Sequence, residues 1–197
     1  GPVTVSKNMA DYGGNDDSGN DKDPGGMVYE ACRLVADKVN FADYDWDGDG
    51  EVDQVFVIYA GYGEASRPAL LPNTIWPHEW TLKAAGYSLT LNKVKINTYG
   101  CTAELNDYGS NNMAGIGTAC HEFSHCLGLP DIYDTSGGDC FGMDLWDVMD
   151  YGSYAGNGYC PVGYNTYQRW VSGWMQPEVL TEPTDVYDLP ALSESPK

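Results

Sequence analysis

The residues best suited to chemistry are His121-Glu122-Phe123-Ser124-His125, in a chain of 197 residues. On a helix, side chains four residues apart share one face and lie about 6 Å apart along the axis, so both imidazoles would point to one place. One tetrahedral zinc ion can bind a nitrogen of each ring. Glu122 lies about 100° around the same helix and can reach a water molecule at the metal. These residues therefore predict a hydrolytic zinc site with Glu122 as general base.

The sequence after the second histidine predicts the third metal ligand. Gly128 allows a sharp turn, and Pro130 prevents the helix from continuing. Asp131 then stands where a carboxylate can return to the metal. Three protein ligands leave the fourth position of a catalytic zinc ion open to water. Asp134 is the alternative third ligand, although it would need one more turn of chain.

A second candidate metal site lies in the acidic segment 45–53. Carboxylates at the first, third and fifth positions, Gly at the sixth and an apolar residue at the eighth are the pattern of an EF-hand calcium loop. Phe56 occupies the twelfth position, where such a loop carries a bidentate Glu. The segment predicts a structural calcium ion or, alternatively, a solvated acidic turn. The calcium ligands that we expect are Asp45, Asp47, Asp49, Glu51 and Asp53.

These motifs resemble those of known zinc peptidases. The extended motif is similar to that of the metzincin-like enzymes, with Asp131 in place of a third His. Residues 128–134 and the acidic loop before an apolar strand resemble the immune inhibitor A family of secreted bacterial metallopeptidases. Residues 146–152 look like the Met-turn of such enzymes. The resemblance implies that Met149 forms a hydrophobic floor under the ligands and that the Tyr151 phenol approaches the zinc or the transition state.

The elements that must position these residues indicate an α+β fold. Apolar spacing predicts a helix over about 27–39, an apolar run predicts a buried strand over 55–60, and alternation over 87–99 predicts a hairpin around Asn92-Lys93. The helix with the histidines should run from about Asn112 to Gly128, after a loop over 109–112, and a last helix should cover 164–174. The resemblance implies a zincin-type domain. Such a domain has a mixed, mostly antiparallel twisted sheet, an active-site helix, and an irregular C-terminal subdomain that ends in a helix.

We expect one catalytic domain over residues 1–178. Its cleft would separate an upper part that extends to about residue 128 from a lower part over 129–178. Residues 179–197 are expected to start a following β segment or a linker that is cut short. An extended substrate is expected to add to the strand near Lys93 to Tyr99 through main-chain hydrogen bonds. His78 lies in an aromatic segment, and we expect it to have a structural role near the cleft.

The charge balance excludes two classes of partner. The chain has 29 acidic and 10 basic residues and a formal net charge of −19, which argues against nucleic acid and anionic membrane surfaces. No apolar run is long enough for a membrane-spanning helix. Six cysteines, an even number, fit an oxidising compartment, but Cys120 and Cys126 lie on different faces of one helix and should not pair. We expect a secreted monomer.

The most direct interpretation is a zinc endopeptidase that acts on proteins or peptides, with catalytic Zn²⁺ and structural Ca²⁺ as cofactors. Two other classes remain open. One is a calcium-dependent adhesion module that keeps an inactive zinc site, although an intact Glu122 speaks against it. The other is a zinc hydrolase of a non-peptide amide, which a substrate profile would reveal.

Overall fold

The structure is a computed structural model that describes residues 1–106, 109, 111–138, 140–187 and 191. These residues form an α+β fold with a mixed sheet. The helices are α1 (Met9–Gly13), α2 (Pro24–Leu34), α3 (Ile116–Cys126) and α4 (Thr166–Val171). The strands are β1 (Val55–Tyr62), β2 (His78–Thr81), β3 (Leu89–Leu91), β4 (Val94–Ile96), β5 (Thr98–Asn106) and β6 (Asn112–Met113).

Strand β5 is the centre of the main sheet. Strand β1 pairs with it in parallel on one side, and β2 pairs with it antiparallel on the other. The short strand β6 pairs antiparallel with the end of β5, while β3 and β4 form a separate antiparallel hairpin. Three of these four pairings are antiparallel. Because β2 pairs only with β5 in the described ranges, it is an edge strand of the main sheet.

The expected position for substrate addition, near Lys93 to Tyr99, is wrong. Strand β5 has β1 on one edge and β2 on the other, so its main-chain groups are already paired. Strand β4 pairs with β3 on one edge, and a bridge joins Lys95 to Glu51 on the other. Periodicity identified these strands, but it cannot reveal which strand edges the fold leaves free.

The helices are shorter than their apolar patterns predicted. Helix α3 begins at Ile116 rather than Asn112, because Asn112 and Met113 pair with β5. Helix α2 covers 24–34 rather than about 27–39. It begins at Pro24, after an N-terminal cap in which Asp23 accepts a hydrogen bond from the Gly26 N–H. Helix α4 covers 166–171 rather than 164–174.

The other expectations about elements have mixed outcomes. The predicted strand at 55–60 extends to residue 62, and the predicted hairpin turns at Asn92 and Lys93, both with left-handed φ. Part of the loop expected over 109–112 lies outside the described residues. No strand forms over 179–187, and most of the remaining segment, 188–190 and 192–197, also lies outside them. No helix among the described residues has the length and apolar character to cross a membrane.

The described residues form two apolar cores. The larger core is formed by residues of the sheet, α2 and the hairpin, and its members with no exposed surface are Val28, Leu82, Tyr99 and Cys101. The smaller core lies beneath α3 and consists of Leu129, Val148 and Met149. All six cysteines are free thiols, including Cys120 and Cys126, which do not pair with each other.

Candidate metal centre

Helix α3 carries both histidines and packs closely against the C-terminal part of the chain. A side chain at Gly117 would collide with the carbonyl of Ser153, and one at Gly115 would collide with the carbonyl of Gly158. Glycine at these two positions therefore lets the first turn of α3 lie against the 153–158 segment. This contact fixes the position of the helix above the smaller core.

The imidazoles of His121 and His125 are both oriented by backbone carbonyls. Nδ1 of His121 lies 2.9 Å from the carbonyl oxygen of Val148, and Nδ1 of His125 lies 2.8 Å from that of Leu129. A carbonyl only accepts hydrogen bonds, so Nδ1 of each ring carries the proton and Nε2 is left as the ligand atom. The ring centroids are 4.9 Å apart. Both Nε2 atoms thus face a common point.

Asp131 joins the two histidines at that point. Its Oδ1 lies 3.1 Å from Nε2 of His121 and 3.3 Å from Nε2 of His125. The chain returns there because Gly128 adopts a left-handed φ of 83° after α3, and because the Ile132 N–H donates to the carbonyl of Met149. The alternative ligand Asp134 instead accepts hydrogen bonds from Ser136 within its own turn.

This donor set fits a zinc ion. The three ligand atoms lie within 4.8 Å of one another, and Oδ1 of Asp131 is buried without a well-directed hydrogen-bond donor. Tetrahedral ligands at about 2.0–2.1 Å from zinc are about 3.3 Å from each other, close to the separations between Asp131 and the two histidines. Two neutral imidazoles and one carboxylate are typical of catalytic zinc sites.

The charges of the three groups are strongly coupled. Burial alone would lower the pKa of His121, but its close contact with the Asp131 carboxylate and its hydrogen bond to the Val148 carbonyl outweigh burial and raise that pKa. Contact with the Asp131 carboxylate likewise raises the pKa of His125. Burial opposes ionisation of Asp131, yet the two imidazoles hold the pKa of that carboxyl well below its usual range. Metal binding would displace protons from the histidines and find the carboxylate already ionised.

Glu122 lies beside these ligands and is 8% exposed. Burial raises the pKa of its carboxyl to about 7, against the opposing influence of the neighbouring histidines. The side chain borders a cavity of about 320 Å³ that also contains the three ligands. The other residues that line this cavity are Trp76, Pro77, His78, Glu79, Trp80 and Tyr133.

His78 belongs to the wall of this cavity. Its Nδ1 lies 2.7 Å from the carbonyl oxygen of Trp76, and its Nε2 lies 3.0 Å from the hydroxyl of Tyr99. Both ring nitrogens are therefore occupied by structural partners. This geometry agrees with the structural role near the cleft that the sequence suggested.

The two residues assigned by the Met-turn resemblance lie in different surroundings. Met149 is fully buried in the smaller core, beneath the helix that carries the histidines. Tyr151 is 63% exposed, and its ring packs on Tyr154. Among the described residues, the phenol that lines the metal cavity is that of Tyr133. The catalytic role of Tyr151 stays a prediction.

Asp147 supports the metal centre from below, and sequence reasoning missed it. This carboxylate is fully buried and accepts hydrogen bonds from the Met149 N–H at 2.8 Å, the Gln168 side-chain amide at 3.0 Å and the Asn165 N–H at 3.3 Å. It joins α4 to the segment whose Val148 carbonyl orients His121. Its only signal in the sequence was a single acidic residue directly before the apolar pair Val148-Met149.

The acidic loop brings together three of its five predicted calcium ligands. Carboxylate oxygens of Asp45, Asp47 and Asp49 lie within 4.8 Å of one another, and Oδ1 of Asp45 is buried without a hydrogen-bond donor. Glu51 instead forms an ion pair with Lys95, in which its Oε2 lies 2.6 Å from Nζ. Asp53 accepts a hydrogen bond from the Trp46 N–H. The structure therefore places the Glu51 carboxylate against a lysine rather than with the other three, and its role as a calcium ligand stays a prediction.

Comparison with known proteins identifies the family. The family model described as immune inhibitor A peptidase M6, catalytic domain, matches residues 1–179. The chain is 30% identical over 199 residues to Immune inhibitor A of Bacillus thuringiensis subsp. alesti, an alignment that covers 87% of the chain and 29% of that protein. It is 32% identical over 192 residues to the Pre-pro-metalloprotease PrtV of Vibrio cholerae serotype O1 (strain M66-2), covering 84% of the chain and 20% of that protein. The chain spans less than a third of the length of these relatives, and it belongs to the immune inhibitor A family, peptidase M6, in the region of the catalytic domain.

Proposed function

We propose that this chain is the catalytic domain of a zinc-dependent endopeptidase, in which His121, His125 and Asp131 hold the metal and Glu122 is the general base. The observation that carries the proposal is the convergence of two Nε2 atoms and one carboxylate oxygen beside a buried glutamate. Membership of a metallopeptidase family supports the same reaction.

The chemistry divides between the metal and Glu122. A zinc ion held by these ligands would supply a Lewis acid that polarises the scissile carbonyl and acidifies water. The Glu122 carboxylate takes the proton of the attacking water and then delivers it to the leaving amine. Burial raises the affinity of this carboxylate for a proton, which suits a group that first accepts a proton and then returns it.

We propose that the substrate lies along the free edge of β2. Four residues of this strand and of the segment just before it line both the metal cavity and an adjoining cavity of about 720 Å³: Trp76, His78, Glu79 and Trp80. An extended peptide could pair its main chain with β2 and carry its scissile bond to Glu122. This replaces the strand near Lys93 to Tyr99 as the site of substrate addition.

The remaining assignments are also proposals. Met149 would serve as the floor of a Met-turn, and Tyr151 would stabilise the transition state, with Tyr133 as an alternative donor. Calcium at Asp45, Asp47 and Asp49 would stabilise the loop before β1, since these carboxylates repel each other without a cation. We propose a secreted monomer with residues 1–178 as the domain.

The decisive test is Glu122→Gln, which keeps the size of the side chain and removes its basicity. We expect unchanged zinc content and a loss of about 10²–10⁴-fold in kcat/KM on a fluorogenic peptide. Glu178→Gln, the same change at an exposed position, is the matched control. Full peptidase activity in Glu122→Gln would exclude Glu122 as the base, and activity in the zinc-free wild type would exclude the metal.

A further inference from the structure

Glu79 is a carboxylate in the wall of the metal cavity that the proposed reaction does not use. It belongs to β2, and it lines both the metal cavity and the adjoining cavity. Its side chain is half-buried, yet within the described part of the chain no hydrogen bond or ion pair reaches its carboxylate. Burial removes water from a charged group, and a positive partner usually offsets that cost.

The register of the sheet places Glu79 on the side of the metal ligands. It stands directly opposite Gly100 of β5, and directly opposite residues of an antiparallel pair project to the same face. A Cβ atom at Gly100 would lie 2.8 Å from the ring of Phe56 and 3.6 Å from Sγ of Cys126, the last residue of α3. Gly100 therefore faces α3, and Glu79 projects to that same face, toward the end of the helix that carries His125.

The electrostatic surroundings of Glu79 agree with this position. Burial raises the pKa of its carboxyl, and the charge of His125 opposes that rise. Burial also raises the pKa of Glu122, and the charge of Glu79 adds to this effect. Glu79 therefore lies close enough to the metal centre for its charge to act on a ligand and on the general base.

The catalytic groups leave the charge of Glu79 unbalanced. The carboxylates of Asp131 and Glu122 together match the charge of one zinc ion, to which both imidazoles would bind in their neutral form. Among the described residues that line the metal cavity, none is Lys or Arg. The adjoining cavity adds one lysine, Lys22, and three further carboxylates, which belong to Asp21, Asp23 and Glu64. A positive partner for Glu79 is therefore expected from the substrate.

Two tryptophans favour the same kind of ligand. Trp76 and Trp80 line both cavities together with Glu79, and their side chains are 48% and 53% exposed. The face of an indole ring attracts cations, and its apolar surface packs against the alkyl stem of lysine or arginine. The wall of the cleft thus combines one unpaired carboxylate with ring surface that suits a long cationic side chain.

We propose that Glu79 is a specificity-determining residue, whose carboxylate binds a positively charged group of the peptide substrate next to the scissile bond. This inference rests on the proposed peptidase function and on a substrate that pairs with β2. The side chains of such a peptide alternate between the two faces of the sheet, so one of them projects to the face of Glu79. The positive group is either the side chain of a Lys or Arg at this position, or the free α-amine of a peptide whose N-terminus lies there.

Paired peptides that differ in one charge test the proposal. Fluorogenic peptides blocked at both ends carry either arginine or citrulline, which has nearly the same shape without the charge, at each position beside the scissile bond in turn. At one position we expect the wild type to cleave the arginine peptide with a kcat/KM about 10–100-fold higher, the range of a hydrogen bond between charged groups. Glu79→Gln should bring this ratio close to one, and Glu79→Lys should favour glutamate over glutamine there. Glu178→Gln, the same change at an exposed position, should keep the wild-type ratio.

A second pair of peptides distinguishes the two sources of charge. A peptide without basic side chains is compared with its acetylated form. If the α-amine is the ligand, the free peptide is cleaved about 10–100-fold faster, Glu79→Gln removes this difference, and the arginine and citrulline peptides are cleaved equally. A wild type that shows neither preference would overturn the proposal, and so would a preference that Glu79→Gln retains.

Binding without turnover separates this proposal from the proposed function. The dissociation constants of the same peptides are measured by fluorescence anisotropy on zinc-loaded Glu122→Gln. The preference for the charged peptide should persist there and disappear in the double variant Glu79→Gln, Glu122→Gln. If the wild type cleaves no peptide while this binding preference is intact, the endopeptidase reaction fails and the role of Glu79 stands. Equal affinities for the charged and neutral peptides would refute that role, whether or not the wild type cleaves them.

Discussion

The buried carboxylate of Asp147 gives the sharpest prediction about how the metal centre is held. Three N–H donors point at this side chain, from Met149, Asn165 and Gln168, at 2.8 to 3.3 Å. The hydrogen bond from the Met149 N–H fixes the residue that follows Val148. The carbonyl of Val148 in turn accepts a hydrogen bond from Nδ1 of His121, one of the proposed zinc ligands. Replacing Asp147 should therefore weaken both the fold and the affinity for zinc.

The magnitude follows from the number of donors that each substitution leaves unpaired. Asp147→Ala removes the acceptors of all three hydrogen bonds from a fully buried position, and each buried donor left unsatisfied costs about 1–3 kcal/mol, so the total loss should exceed about 3 kcal/mol. Asp147→Asn can keep the two bonds to Oδ1, from Met149 and Gln168, but turns an NH₂ group toward the Asn165 N–H. One donor left unsatisfied costs about 1–3 kcal/mol. We expect Asp147→Asn to be intermediate between the wild type and Asp147→Ala.

Two measurements check this reasoning. Thermal unfolding of the zinc-free protein should show the loss as about 2–4 °C in Tm for each kcal/mol in a chain of this size. Competition with a chromophoric chelator should show a zinc affinity about 10–100-fold weaker, the usual effect of removing a residue that orients a ligand. Asp37→Asn, at an exposed position, is the control and should change neither quantity.

The outcome that refutes the reasoning is specific. If Asp147→Asn binds zinc as tightly as the wild type while its Tm falls, Asp147 stabilises the fold without orienting His121. If its Tm also matches that of Asp37→Asn, the three hydrogen bonds contribute nothing measurable. The Asn variant decides both points even if Asp147→Ala fails to fold.

Three further predictions concern the calcium loop, the cleft wall and the phenols. Calcium bound by the acidic loop should raise the Tm of the protein, and Asp45→Asn should remove most of that increase. An unchanged increase in Asp45→Asn would argue against calcium binding in this loop. Burial lowers the pKa of His78, so the unfolded chain binds a proton below about pH 6.5 before the folded one does; stability should fall as the pH drops below that value. His78→Gln should therefore flatten the dependence of unfolding free energy on pH between about 7.5 and 5.5, and an equally steep profile would exclude this origin. Tyr151→Phe should lower kcat about 10²-fold with little change in KM if its phenol donates to the transition state; a loss in Tyr133→Phe instead would assign that role to the phenol in the metal cavity.

The sequence by itself determined the features that depend on local spacing. Two histidines four residues apart share one face of any helix, whatever surrounds that helix. Gly128 and Pro130 end the helix and turn the chain, so Asp131 was predicted as third ligand ahead of Asp134, and the structure brings its carboxylate to both histidines. The positions of Asp45, Asp47 and Asp49 within one short loop likewise brought their carboxylates together.

The tertiary structure decided the features that depend on residues far apart in the chain. The Val148 carbonyl that orients His121 lies 27 positions away, and Gln168 reaches Asp147 from another helix. The edge that we propose for the substrate is that of β2, because β5 is paired on both sides and β2 lines the metal cavity, which no periodicity can reveal. Local rules reach only about one turn or one hairpin, whereas pairing of strands and burial of charge are settled when distant segments pack together.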